Sequence, residues 1–216
     1  MEEKKYFDRQ IDESLLAWKN SPRHKPLLLR GARQVGKSSS VHHLARQFDN
    51  FVEINFERRP AYLEIFQGDR DAKHIVEMIK SITGKPIVPG KTLLFFDEIQ
   101  MCQEAISSLR FFWEDMPELH VIAAGSLLEF ALNEIPTFGV GRIHSMFMYP
   151  MSFDEFLNAL GMTSLQHQKR EASMDRPLLS ALHEQLVALF RTYLMVGGMP
   201  ESVATWVDTH SYLECQ

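Results

Sequence analysis

Cysteine is nearly missing from this chain: there are two in 216 residues, Cys102 and Cys215, without metal-ligand spacing and too few for a disulfide framework. Such usage fits a reducing compartment, and a cytoplasmic location is the expectation. Basic excess is missing as well. Twenty-three Lys+Arg face 28 Asp+Glu, for a net charge of -5, so the chain as a whole lacks the charge that grips a nucleic-acid backbone by counterion release. Nucleic-acid contact is left to a local patch or to a domain outside this sequence. No apolar run approaches the roughly 20 residues that span a bilayer, and the charged start MEEKKYFDRQ carries no apolar export segment. Internal repeats and low-complexity tracts are also lacking. What remains, at 45% hydrophobic content, is a globular chain long enough for one full domain and part of another.

The apolar residues are spaced in two ways. Phe7, Ile11, Leu15 and Trp18 fall four, four and three apart, which predicts one face of a helix ending near NSPRHKP and packing on the core, within residues 1–25. Short apolar runs at 27–30, 51–56, 92–96, 119–124 and 143–148 then alternate with longer segments of helical character. Strands alternating with helices predict an α/β fold of three layers, a five-stranded parallel sheet covered on both faces, over residues 26–160. Near its end, YPMSFDEF contains Pro150, which stops a strand, and Ser152 with Glu155, a capping box flanked by Met151 and Phe156 as a hydrophobic staple. Residues 161–176 are polar and non-periodic and read as a linker or mobile loop. Leu179, Leu182, Leu186, Leu189, Tyr193 and Leu194 then form a helical stripe over a partial helical extension, 177–216, with too few elements to close a core and expected to continue in a longer protein.

The stretch LLLRGARQVGKSSS carries the first chemistry. Gly31 to Ser38 satisfies G-x-x-x-x-G-K-S between an apolar strand and a helix, the context a phosphate-binding loop requires. From glycine's usual frequency of about 7%, a chance match in a chain this long arises roughly once in 100, before the flanking strand and helix are demanded. In such a loop the backbone of Gly31, Ala32, Arg33, Gln34, Val35, Gly36, Lys37, Ser38 and Ser39 surrounds the phosphates, and Lys37 reaches the outermost two. The Ser38 hydroxyl is placed for magnesium, whereas those of Ser39 and Ser40 continue the helix. His42 and His43 come next at adjacent helical positions and cannot share a metal.

About sixty residues on, KTLLFFDEIQ delivers Asp97 and Glu98 at the C-terminal end of an apolar strand, where open α/β sheets bind ligands. Asp97 would hold magnesium through water and Glu98 would orient and polarise an attacking water, a pairing that favours hydrolysis over passive binding. Ser126 closes HVIAAGS at the same edge and has two readings: a sensor of phosphate or water, or the cap of a helix over LLEFAL. Arg142 has two as well, a charge-neutralising arginine acting in cis or on a neighbouring subunit, or an exposed loop residue. In GGMP, Gly197 ends one helix and Pro200 starts the next by the usual asymmetry.

The segments RGARQVGKSS, LLFFDEIQ, AAGSLLEF, GRIHSMFMYPMSFDEFL and YLMVGGMPESV stand in the order seen in a bacterial and archaeal group of AAA-like ATPases, which this chain resembles from about residue 26 to 207. The resemblance implies a P-loop fold with strand order 5-1-4-3-2, kinship with the signal-transduction (STAND) branch, and a helical or winged-helix extension. It also implies a C-terminal nuclease-like domain that this sequence lacks. It further implies that Lys37 and Ser38 are the Walker A pair, Asp97 and Glu98 the Walker B pair, and Ser126 the sensor. Gly198 and Pro200 would be a G-x-P pair approaching adenine, and Arg142 would resemble an arginine finger. Serine at 38 replaces the family's usual threonine, an exchange of one magnesium-binding hydroxyl for another.

Together these readings predict an ATP- and ADP-binding protein using Mg, hydrolysing ATP through Lys37, Glu98 and Arg142 and moving its helical extension, with self-association where Arg142 works in trans. A nucleotide switch of slow turnover is the alternative, and a small-molecule kinase is a third reading that no acceptor-binding motif supports.

Overall fold

The computed structural model describes residues 6–68, 71–126, 128 and 141–215. By its internal contacts the chain divides into two units, Ile11–Met148, and Met1–Gln10 with Tyr149–Gln216.

The first unit is built on five parallel strands: β1 (Leu27–Arg30), β2 (Asn50–Asn55), β3 (Thr92–Asp97), β4 (His120–Ala124) and β5 (His144–Phe147). They lie in the order β2-β3-β4-β1-β5, the expected 5-1-4-3-2 seen from the other edge. The interior strand β3 is buried at every position, as a strand covered on both faces must be. Its side chains alternate. Leu94 and Phe96 point into a core with Val52, Ile54 and Phe56 of β2 and its continuation. That core is closed by helices α3 (Ala72–Thr83) and α4 (Gln103–Asp115). Phe96 is its hub, its ring lying 5.4 to 6.2 Å from those of Phe56, Phe66 and Phe112.

Helices α1 (Gln10–Asn20) and α2 (Lys37–Ala45) belong to the other face, where His42 of α2 meets the rings of Phe51 and Phe95 edge-on. Leu15 and Trp18 of α1 are buried, as their spacing predicts. Trp18 Nε1 donates to the Lys25 carbonyl at 2.7 Å, so the helix is tied to the approach to β1. Phe7 departs from the predicted stripe. The helix starts only at Gln10, and Phe7 packs in the second unit against Met151 and Phe156.

The second unit contains α5 (Phe153–Ala159), α6 (Thr163–Glu171), α7 (Ser180–Val196) and α8 (Pro200–Thr209). The predicted capping box is formed: Glu155 N donates to Ser152 Oγ at 3.3 Å and Ser152 N to Glu155 Oε2 at 2.7 Å. The same buried carboxylate accepts from Arg9 Nε at 2.9 Å and from Gln10 N at 2.7 Å, which satisfies the charge it carries out of water.

By internal contacts the sheet unit runs to Met148, and the residues after β5 pack around Met151 and Phe156. One sequence expectation needs correction: 161–176 is not a bare linker, since α6 occupies most of it. Periodicity misses that helix because its nine residues bury a single apolar side chain, Leu165, while Lys169 and Arg170 pair with Asp154 at 2.9 and 3.5 Å. In α7 the stripe is only partly inward: Leu186 is buried, but Leu179 and Leu194 at its ends are exposed.

Candidate functional site

A parallel sheet gathers its strand ends, and here the C-terminal ends of β1, β2, β3 and β4 meet at one edge. The loop after β1 begins at Gly31, whose φ of 149° is open to glycine and whose missing Cβ would lie 2.2 Å from the Met148 carbonyl oxygen. That approach is tight because Met148 N donates to the Arg30 carbonyl at 2.8 Å, extending the β1–β5 pairing by one bond. Gln34 and Gly36 also take positive φ, 62° and 99°, while Val35 is fully buried and anchors the loop from beneath. Gly36 sits at the start of α2, so the helix opens directly onto the loop.

Lys37, only 7% exposed, turns back over the loop and donates from Nζ to the carbonyls of Gly31 at 3.0 Å and Ala32 at 2.7 Å. Burial lowers its pKa, the carboxylates of Glu98 and Asp97 opposing that shift. Ser38 Oγ lies 3.1 Å from each oxygen of Asp97. Asp97 is raised from the ordinary carboxylate value, chiefly by burial, with the Ser38 hydrogen bond opposing. Sequence reasoning paired these two residues by role; the fold makes them neighbours. Ser39, exposed in the first turn of α2, continues the helix.

Asn55 was not anticipated. It pairs in register with Asp97 across β2 and β3, and its Nδ2 donates to Asp97 Oδ2 at 3.0 Å. Its own Oδ1 accepts from Arg58 N at 2.8 Å. The only sequence signal was a polar residue closing FVEIN; its relevance depends on which strand lies beside β3. On the same face, His42 and Glu53 pair at 3.2 Å, their mutual hydrogen bond raising the histidine and lowering the glutamate.

Glu98 comes next in left-handed backbone, φ 52° and ψ 44°, starting the tight turn Ile99–Met101. Its amide donates to Asp97 Oδ1 at 3.1 Å, and its Oε2 accepts from Gln100 Nε2 at 2.5 Å. Ser126 is buried beyond β4, and Arg33 Nε of the loop donates to its hydroxyl at 3.4 Å. The helix over 127–132 that Ser126 was expected to cap lies, Leu128 apart, outside the described residues.

One predicted site residue of the sheet unit is not brought to this edge. Arg142 precedes β5, so it belongs to the opposite edge of the sheet, about 17 Å along the strand from the residue beside the loop. Its Nε pairs with Glu114 Oε1 at 2.6 Å on the surface. A cis role at the loop of its own chain is therefore corrected. Gly198 and Pro200 belong to the second unit, where Gly197 ends α7 with φ 80° and Pro200 opens α8. A Cβ at Gly198 would lie 2.4 Å from the Met151 carbonyl oxygen, and Met151 N donates to the Gly198 carbonyl at 2.7 Å. Glycine is needed there for backbone packing, whatever else the segment does.

Hard oxygen donors from a hydroxyl and a carboxylate, in contact at a sheet edge beside a buried lysine, fit a magnesium-nucleotide site. The fold and this edge define a P-loop nucleotide-binding ATPase domain of the AAA type. A family described as an AAA domain matches residues 23–157, and the chain belongs to that family. No curated protein matches it. Among the described residues no helix is long and apolar enough to cross a membrane.

Proposed function

We propose that this chain is a magnesium-dependent ATP hydrolase in which Lys37, Ser38, Asp97 and Glu98 carry the chemistry. The observation that carries the reading is the contact of Ser38 Oγ with both oxygens of Asp97 at 3.1 Å, with Glu98 next in sequence. The loop's amides and the start of α2 take the phosphates, and the Lys37 ammonium exchanges its two carbonyl partners for phosphate oxygens. Ser38 and Asp97 would hold magnesium, which when bound neutralises phosphate charge. Asn55 fixes the Asp97 carboxylate from the side, so that little reorganisation accompanies binding. Glu98 accepts a proton from water as that water attacks the γ-phosphorus, while the bond to the bridging oxygen breaks and ADP leaves. Adenine rather than guanine is favoured by the absence of an N-K-x-D motif from the sequence. We also propose that nucleotide state acts on the helical unit 149–216.

Two variants test the core of this reading. Lys37→Ala should abolish measurable ATP affinity. Glu98→Gln should retain affinity and slow phosphate release about 100-fold or more. Wild-type affinity in the first, or wild-type turnover in the second, defeats the assignment.

A further inference from the structure

The Gln100 side chain is held in a way that its position in a tight turn does not require. Its Nε2 donates to Glu98 Oε2 at 2.5 Å, while its Oε1 is shielded from solvent and meets no donor among the described residues. Reversing the amide would set its oxygen against the carboxylate, two acceptors together, so the nitrogen faces Glu98. A buried carbonyl without a donor is unfavourable and demands an explanation.

Gly125 supplies the other half. A Cβ built there would stand 2.2 Å from Gln100 Oε1 and 3.3 Å from its Cδ. Gly125 is not among the glycines with positive φ, so its backbone is open to other residues. Apart from Leu128 Cγ at 3.2 Å, what a methyl group would strike is the Gln100 amide. The end of β4 thus leaves a notch, and the amide fills it.

We propose that Gln100 is a positioning residue for Glu98 and that Gly125 is its seat. Glu98 has a flexible side chain on an uncommon left-handed backbone, and a base must be held to a narrow range of positions to act on water. The amide fixes one carboxylate oxygen and leaves Oε1 to take the proton. The notch prevents the amide from swinging away, at the cost of a carbonyl unpaired among the described residues. This inference rests on the reading of Glu98 as the base.

The test is a kinetic cycle on the purified protein with ATP and magnesium. Gln100→Ala and Gln100→Met, the second preserving volume without the N–H, should each lower kcat about 10- to 100-fold with KM and ATP affinity unchanged. Gly125→Ala should lower kcat in the same way. Combined with Gln100→Ala it should add no further loss, because its target is gone. Wild-type or raised kcat in either Gln100 variant overturns the positioning role, as does an equal loss of affinity. Additive losses in the double variant overturn the seat, and a Gly125→Ala single variant that fails to fold leaves the two Gln100 variants to decide the role. Glu98→Gln runs beside them: if it turns over like the wild type, the base assignment has failed, a result distinct from failure of the Gln100 variants alone.

Discussion

A methyl group on Gly31 would enter the space of the Met148 carbonyl oxygen, and φ at that residue already excludes most side chains. Gly31→Ala should therefore weaken ATP affinity at least tenfold by opening the loop at its base, readable by titration with a fluorescent ATP analogue. The same scale separates the two cysteines. Burial pushes the Cys102 thiol up to about 11, so almost none is thiolate at neutral pH, and it is 2% exposed. Cys215 is only half-buried. Native protein at pH 7.5 should react with one equivalent of iodoacetamide, and unfolded protein with two, as counted by mass spectrometry. Two equivalents in the native state would contradict the burial of Cys102.

At the scale of elements, α1 is docked on β4 through a group of rings. His120 stacks on His24 at 3.7 Å, Trp18 meets both edge-on, and His120 Nε2 donates to the Lys19 carbonyl at 3.0 Å. Burial lowers His120 to about 4, with His24 and Lys19 adding to the shift and the Lys19 carbonyl opposing it. Below the ordinary value of 6.5 the unfolded chain takes up a proton that the folded chain resists until about 4. Stability from this residue is full above pH 6.5 and falls as pH drops towards 4, by a total on the order of 3 kcal/mol. Urea midpoints between pH 7.5 and 5 should decline in the wild type and less in His120→Phe; equal slopes would remove His120 as the cause. The buried strand β3 makes a simpler case. Phe96→Ala empties the hub of three aromatic neighbours and should cost about 3–5 kcal/mol in chemical unfolding.

For the whole molecule, the position of Arg142 matters most. It is remote from the nucleotide edge of its own sheet and pairs with Glu114 on the surface. A catalytic role is therefore left in trans, on a second copy. Specific ATPase activity should then rise with protein concentration, and Arg142→Ala should abolish the rise while sparing ATP affinity. A flat dependence removes the residue from the machinery.

The sequence carried the strands, their parallel arrangement and the loop, since these arise from short-range signals: alternating apolar runs, and glycines beside a lysine and a serine. It also carried the capping box, a contact between residues three apart. It missed α6, which buries one apolar side chain, Leu165, and so shows no apolar stripe, while its Lys169 and Arg170 pair with Asp154. The rest depended on which strands lie side by side. Asn55 became a partner of Asp97 because β2 and β3 are neighbours in register, and Gln100 gained a seat because β4 ends in a notch beside the turn after β3. Arg142, two residues ahead of a strand, was excluded from its own loop by strand direction alone. Local pattern determined the elements and the phosphate loop; tertiary structure decided which side chains meet at the sheet edge, because those contacts join residues far apart in the chain.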